Sequence, residues 1–122
     1  MNINKNTTTA EVIDSFVTTF PYLKLVFYKK SHDHFHGSDK DDEIKEDVKL
    51  VTLNKELSEG KVEWKGDMSV DNLESLMEDS FGLHVQVFRK SGDIWLQTSK
   101  TDHWTLDSQN QNGAENEKFA SK

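Results

Sequence analysis

The sequence predicts an α+β fold, one compact domain formed by internal duplication of a β-α-β-β-(short helix) unit with antiparallel hairpins. Three observations lead to it. Two stretches carry apolar residues at helical spacing behind a good N-terminal cap. Each is closed by a proline or a glycine and then followed by a strand-like alternation. The same order and punctuation recur in the second half of the chain.

In the first unit, "MNINKN" reads as an entering strand. Thr8 and Glu11 stand at capping-box spacing, the hydroxyl accepting from a free N–H and the carboxylate reaching back to the cap. Ile13, Phe16, Val17 and Phe20 then fall at i, i+3, i+4 and i+7, one helical stripe. Pro21 stops the helix, because it cannot donate a backbone hydrogen bond and disfavours helix in the residue before it. In "YLKLVFYKK", Leu23, Leu25 and Phe27 share one face of a strand. "TLNKELSEG" (52–60) reads as a short helix ended by Gly60.

The second unit repeats this plan. "VEWKGD" enters, Ser69 is a suitable N-cap, and Leu73, Leu76, Met77 and Phe81 form the stripe up to Gly82. Leu83, Val85 and Val87 alternate along the following strand. A two-residue turn at Ser91-Gly92 is expected to set Lys90 opposite Asp93, Arg89 opposite Ile94, Phe88 opposite Trp95 and Val87 opposite Leu96. That register sends Val85, Val87, Ile94 and Leu96 inward. "TLDSQNQNG" (105–113) gives a second short helix ended by Gly113, and 114–122 reads as a disordered tail. The units span about 1–60 and 61–113 of a single domain, with Phe20 meeting Phe81, Leu23 meeting Leu83, Lys30 meeting Lys90 and Ser31 meeting Ser91.

The composition narrows the function classes. With 22 acidic against 15 basic residues, the formal charge of −7 repels nucleic acid and anionic membranes, and no basic cluster exceeds Lys29-Lys30. Hydrophobic residues make up 34% of the 122, and mean hydropathy is −0.77, toward the polar end for a folded protein. The absence of cysteine removes disulfides, thiolate metal sites and cysteine nucleophiles. No signal-peptide core or bilayer-length segment is present, so the expected location is cytoplasmic.

The runs "FPYLKL", "FGLHVQVFRKSGDIWL" and "WTLDSQNQNG" resemble those of a family of small, uncharacterised bacterial proteins. The resemblance covers most of residues 8–113 and implies a soluble bacterial protein with one compact domain. It implies no activity, cofactor or catalytic residue. Of the His-rich loop, only a histidine near position 32 fits it.

Two stretches invite a chemical reading. In "SHDHFHGSD" (31–39), His32, His34 and His36 alternate beside Asp33 and Asp39, a pattern that zinc or nickel could use. These residues fall in the expected connection of the first hairpin, a mobile loop of about 31–43 that runs into acidic residues. The other stretch is the second hairpin, whose outward face collects Gln86, Phe88, Lys90, Trp95 and Gln97, with Tyr28 and Lys30 at the matching positions of the first unit. Aromatic residues among polar neighbours suit recognition. Cover from Trp64, Trp104 or the other unit would make the same residues core.

Weaker signals have plain explanations. Asp102 beside His103 lacks a nucleophile motif, and a helix cap at Asp102 or Thr105 accounts for it. His84 reads as an ordinary strand residue. The acidic run 38–49 lacks the EF-hand pattern, and no phosphate-binding glycine motif occurs. The expectation is a non-enzymatic module without cofactor, monomer or weak homodimer, that binds a protein or a small ligand through the Phe88/Trp95 face. A metal-binding protein or metal-dependent enzyme using His32, His34 and His36 is the alternative.

Overall fold

The computed structural model describes residues 1–29 and 42–120, with 117–120 described by backbone alone. In order, the elements are β1 (Asn2–Ile3), α1 (Thr9–Thr19), β2 (Leu23–Tyr28), α2 (Leu50–Leu53) and β3 (Gly60–Lys61). There follow α3 (Val70–Phe81), β4 (His84–Ser91), β5 (Ile94–Gln97), a 3-10 turn (Ser99–Thr101) and α4 (Leu106–Ala120). β1 pairs with β3, and a three-stranded sheet runs β2-β4-β5, all antiparallel. The expected α+β class is what forms.

Local chemistry sets the helix starts. The Thr8 hydroxyl accepts from the Glu11 N–H at 3.3 Å, and Glu11 Oε1 accepts from the Thr8 N–H at 3.2 Å, a complete capping box. Ser69 Oγ accepts from the Asn72 N–H at 3.1 Å, and Thr105 Oγ1 from the Ser108 N–H at 3.1 Å. Thr105, not Asp102, therefore caps α4. α3 ends on Gly82 at φ 63°, a left-handed cap that favours glycine.

The starts of the helices are also tied together in pairs. The Thr9 N–H donates to Val48 O and the Leu50 N–H to Thr7 O, joining α1 to α2. The Val70 N–H donates to Trp104 O and the Leu106 N–H to Met68 O, joining α3 to α4 in the same way.

The core lies between one face of the sheet and the helices. Leu23, Leu25 and Phe27 of β2 and Val85 and Val87 of β4 meet Val12, Phe16 and Phe20 from the first helix and Leu73, Met77 and Phe81 from α3. Full burial of each such side chain is worth about 1.5–3 kcal/mol. The stripe on α1 is rotated from the expected one: Val12, Phe16 and Phe20 carry it at i, i+4 and i+8, and Val17 is 37% exposed. Trp64 rests edge-on against Phe16 at 5.3 Å and donates its Nε1–H to Ser15 Oγ.

Further expectations are corrected. The tight turn falls at Gly92-Asp93, so Ser91 faces Ile94, Lys90 faces Trp95, Arg89 faces Leu96 and Phe88 faces Gln97. Gly92 occupies the first central position with φ 61°. Moving a turn by one residue moves each partner by two, so the division of side chains between faces survives. Ile94 and Leu96 do share the side of Val85 and Val87, but they lie beyond the helices and are 58% and 39% exposed.

α2 is a single turn that stops at Asn54, and Gly60 lies in β3 against the Phe81 ring instead of capping a helix. β3 lies wholly before "VEWKGD" (62–67), the stretch expected to form the entering strand. α4 runs straight through Gly113 to Ala120 instead of ending at Gly113.

On the far edge of β2 the chain returns. The Lys29 N–H donates to Asp42 O at 2.9 Å, and the Ile44 N–H to Phe27 O at 2.8 Å. The first hairpin therefore closes at Asp42–Ile44, and its connection, 30–41, lies outside the described residues.

Candidate binding face

Alternation along a strand decides what the outer face of the sheet presents. β2 contributes Lys24, Val26 and Tyr28; β4 contributes His84, Gln86, Phe88 and Lys90; β5 contributes Trp95 and Gln97. Phe88 and Trp95 are half-buried. From β2, two strands away from β5, Lys24 lays its ammonium 5.8 Å from the Phe88 centroid and 5.8 Å from the Trp95 centroid. Lys90 places its own at 5.1 Å from Trp95. These separations fall within cation–π reach, worth about 0.5–1 kcal/mol each at an exposed site.

Neither Lys24 nor Lys90 has a carboxylate partner among the described residues. In a chain with an acidic excess, two cations gathered over one indole, with no counter-ion among the described residues, form a local reversal of charge. The two tryptophans considered as cover for this face are elsewhere: Trp64 packs on Phe16, and Trp104 stacks on Arg89, which points to the opposite side from Phe88.

The candidate residues separate accordingly. Phe88, Lys90, Trp95 and Gln97 are at least partly accessible. Tyr28 and Gln86 share the face but are only 2% and 0% exposed, which removes both from direct presentation. Burial, assisted by the negative charge of Glu43, pushes the Tyr28 phenol up to about 12. Gln86 donates its Nε2–H to Val87 O, while its Oε1 is buried without a hydrogen-bond donor. Lys30, His32, His34 and His36 lie outside the described residues. Among those described, no group of His, Cys, Asp or Glu is arranged to hold a metal. Lys24 belongs to the face and was missed, because its reach across Phe88 depends on the pairing of β2 with β4.

Beside the face, where β5 peels away, a buried polar network closes the sheet. The Val87 N–H, which β5 leaves unpaired, donates to Glu74 Oε2 at 3.1 Å. The Val87 carbonyl accepts from the Thr98 N–H and hydroxyl. Arg89, its guanidinium drawn below its ordinary value by burial, donates to Gln109 Oε1 at 2.8 Å and stacks on Trp104. Gln109 in turn donates to Thr101. Asp102 is buried and its carbonyl accepts from the Asp71 N–H, whereas His103 is exposed.

A second concavity, a groove of about 580 Å³, lies between the end of β2 at Tyr28 and Lys29, residues 43–48, α2 and the turn from α3 to β4. Ile44, Val48 and Leu53 give it apolar walls, Lys45 and Glu46 give it charges of both signs, and His84 lines it as well. His84 Nδ1 sits 2.9 Å from Glu78 Oε1. Sequence spacing had no means of finding this groove, since its walls come from four separate segments.

No helix among the described residues is long and apolar enough to cross a membrane. No protein-family model, curated protein or solved structure matches the chain.

Proposed function

We propose that the chain is a non-enzymatic binding module whose outer sheet face takes an acidic segment of a partner protein. The observation that carries the reading is the convergence of Lys24 and Lys90 over Trp95, neither with a carboxylate partner among the described residues. Half-buried aromatic rings supply contact area at low entropic cost, and the two ammonium groups select the sign of the partner. Screening confines the attraction to about 8 Å at physiological salt, so the local pair outweighs the distant acidic excess. A cytoplasmic monomer or weak homodimer fits this role.

The same reading includes an origin by duplication. Its support is the matched tie between helix starts in each half, and a β2–β4 pairing centred on Val26 and Gln86, so that Leu25 faces Val87 and Phe27 faces Val85. Each half adds a short return strand, Asp42–Ile44 on β2 and Ile94–Gln97 on β4.

Calorimetric titration with a short acetylated glutamate-rich peptide, against its lysine-rich counterpart, tests the function. Binding of the acidic peptide alone is expected, with loss of at least about tenfold in affinity in Trp95→Ala and in Lys24→Ala/Lys90→Ala, both retaining the circular dichroism of the parent. Equal binding of the two peptides refutes the reading. So does an unfolded Trp95→Ala, which would make that residue core.

A further inference from the structure

The face described above ends on a short edge strand that, among the described residues, carries no charge, proline or glycine. Sheets blunt their edges with lysine, proline, bulges or a covering element, because unpaired N–H and C=O groups recruit other strands. The opposite edge is covered where Asp42–Ile44 returns beside β2. β5, at the end of the order β2-β4-β5, reads Ile94-Trp95-Leu96-Gln97, without a charge, a proline or a glycine.

Its two sides differ in chemistry. Ile94 and Leu96 are two of only three large apolar residues exposed among those described, and both project to one side. Trp95, with the two ammonium groups over its ring, projects to the other. The backbone phase is fixed as well. Val87 O accepts from the Thr98 N–H, so the odd-numbered residues of β4 bond toward β5, and Ile94 and Leu96 bond back to them. The N–H and C=O of Trp95 therefore point away from the sheet.

From this juxtaposition we infer that the acidic partner segment binds by strand addition to β5, as an extended peptide alternating apolar and acidic residues. The inference rests on the proposed function and adds its mode. A strand laid about 4.8 Å outside β5 directs alternate side chains to opposite sides of the sheet. One set packs on Ile94 and Leu96. The other leans over Trp95, where the Lys90 ammonium, 5.1 Å from the ring centroid, and that of Lys24 stand ready to pair with carboxylates. Main-chain bonds at Trp95 supply affinity, and the two faces supply the sequence pattern.

The experiment titrates the protein with a short acetylated peptide alternating glutamate and valine, and with two versions N-methylated at every other residue in opposite phase. Strand addition predicts that one phase of methylation costs at least about tenfold in affinity, and that the other costs little. Leu96→Glu, at an exposed position, is expected to weaken the unmodified peptide by a similar factor with the fold intact.

If both methylated peptides bind like the parent, strand addition is wrong and the face reading stands. If the unmodified peptide does not bind at all, the face reading fails too. Binding of free glutamate as tight as that of the peptide overturns the strand mode in favour of a small-anion site. A dimer in sedimentation that Leu96→Glu dissolves and that peptide does not displace shows the edge taken by a second copy, and overturns the peptide assignment.

Discussion

Replacement of Gly113 by alanine sets two effects of known size against each other. Within a helix, alanine is favoured over glycine by about 1 kcal/mol, so an isolated view of α4 predicts stabilisation. At this position a Cβ would stand 3.0 Å from Tyr22 Cβ, 3.0 Å from Tyr22 O and 3.4 Å from Arg89 Cγ. The Tyr22 carbonyl cannot retreat cheaply, because it accepts from the Lys90 N–H at 3.0 Å within the sheet. α4 must move instead. That movement strains the bonds from the Tyr22 N–H to Asn110 Oδ1 (2.9 Å) and from Arg89 Nη1–H to Gln109 Oε1 (2.8 Å).

Overpacking of this kind costs about 1–3 kcal/mol, and weakening of two hydrogen bonds adds to it. The net expectation is destabilisation by about 1–2 kcal/mol, or several degrees in Tm. Urea unfolding followed by tryptophan fluorescence reads it as a lower midpoint at constant slope. Gln111→Ala, at an exposed position of the same helix, serves as the reference. A Gly113→Ala protein more stable than the parent by the full propensity gain would refute the close-packing argument.

Two other substitutions test the polar side of the sheet. Gln86→Leu removes a buried acceptor that has no donor while keeping the volume, and is expected to raise stability by about 1 kcal/mol in denaturant melts; a clear loss would mean the amide has a structural task. Tyr28 is protonated in the fold up to about 12, against 10 in the unfolded chain, so its contribution is complete below pH 10 and lost as pH rises toward 12. The decline amounts to about 3 kcal/mol. Tyr28→Phe should flatten the stability curve over that interval, and an unchanged difference between the two proteins across it would contradict the burial argument.

What the sequence conveyed was what local chemistry decides. Thr8, Glu11, Ser69 and Gly82 mark helix ends through bonds to residues three or four places away, and those ends formed where the residue types put them. The turn of the second hairpin was less legible, because Ser91-Gly92 and Gly92-Asp93 both offer the required glycine. Only the pairing of β4 with β5 chooses between them. Gly113 misled for a different reason. A glycine near the end of an apolar pattern reads as a cap, whereas its lack of a side chain serves the approach of α4 to Tyr22, a contact between segments far apart in the chain. The same holds for the binding face: Trp95 and Phe88 are visible in the hairpin, but the arrival of Lys24 from another strand is tertiary.

The paired ties between helix starts bear on how the molecule opens. Val70 and Leu106 each lend an N–H across the junction of α3 and α4, so the C-terminal helix cannot detach without freeing the first turn of α3. α3 also carries Glu74, the carboxylate that holds the Val87 N–H where β5 departs. Fraying at the far end of the chain is thereby transmitted to the root of the hairpin that bears Trp95. The amides of Val70, Val87 and Leu106 are expected to exchange as one cooperative unit in native-state hydrogen exchange, the hairpin drawing its rigidity from a helix it does not touch in sequence.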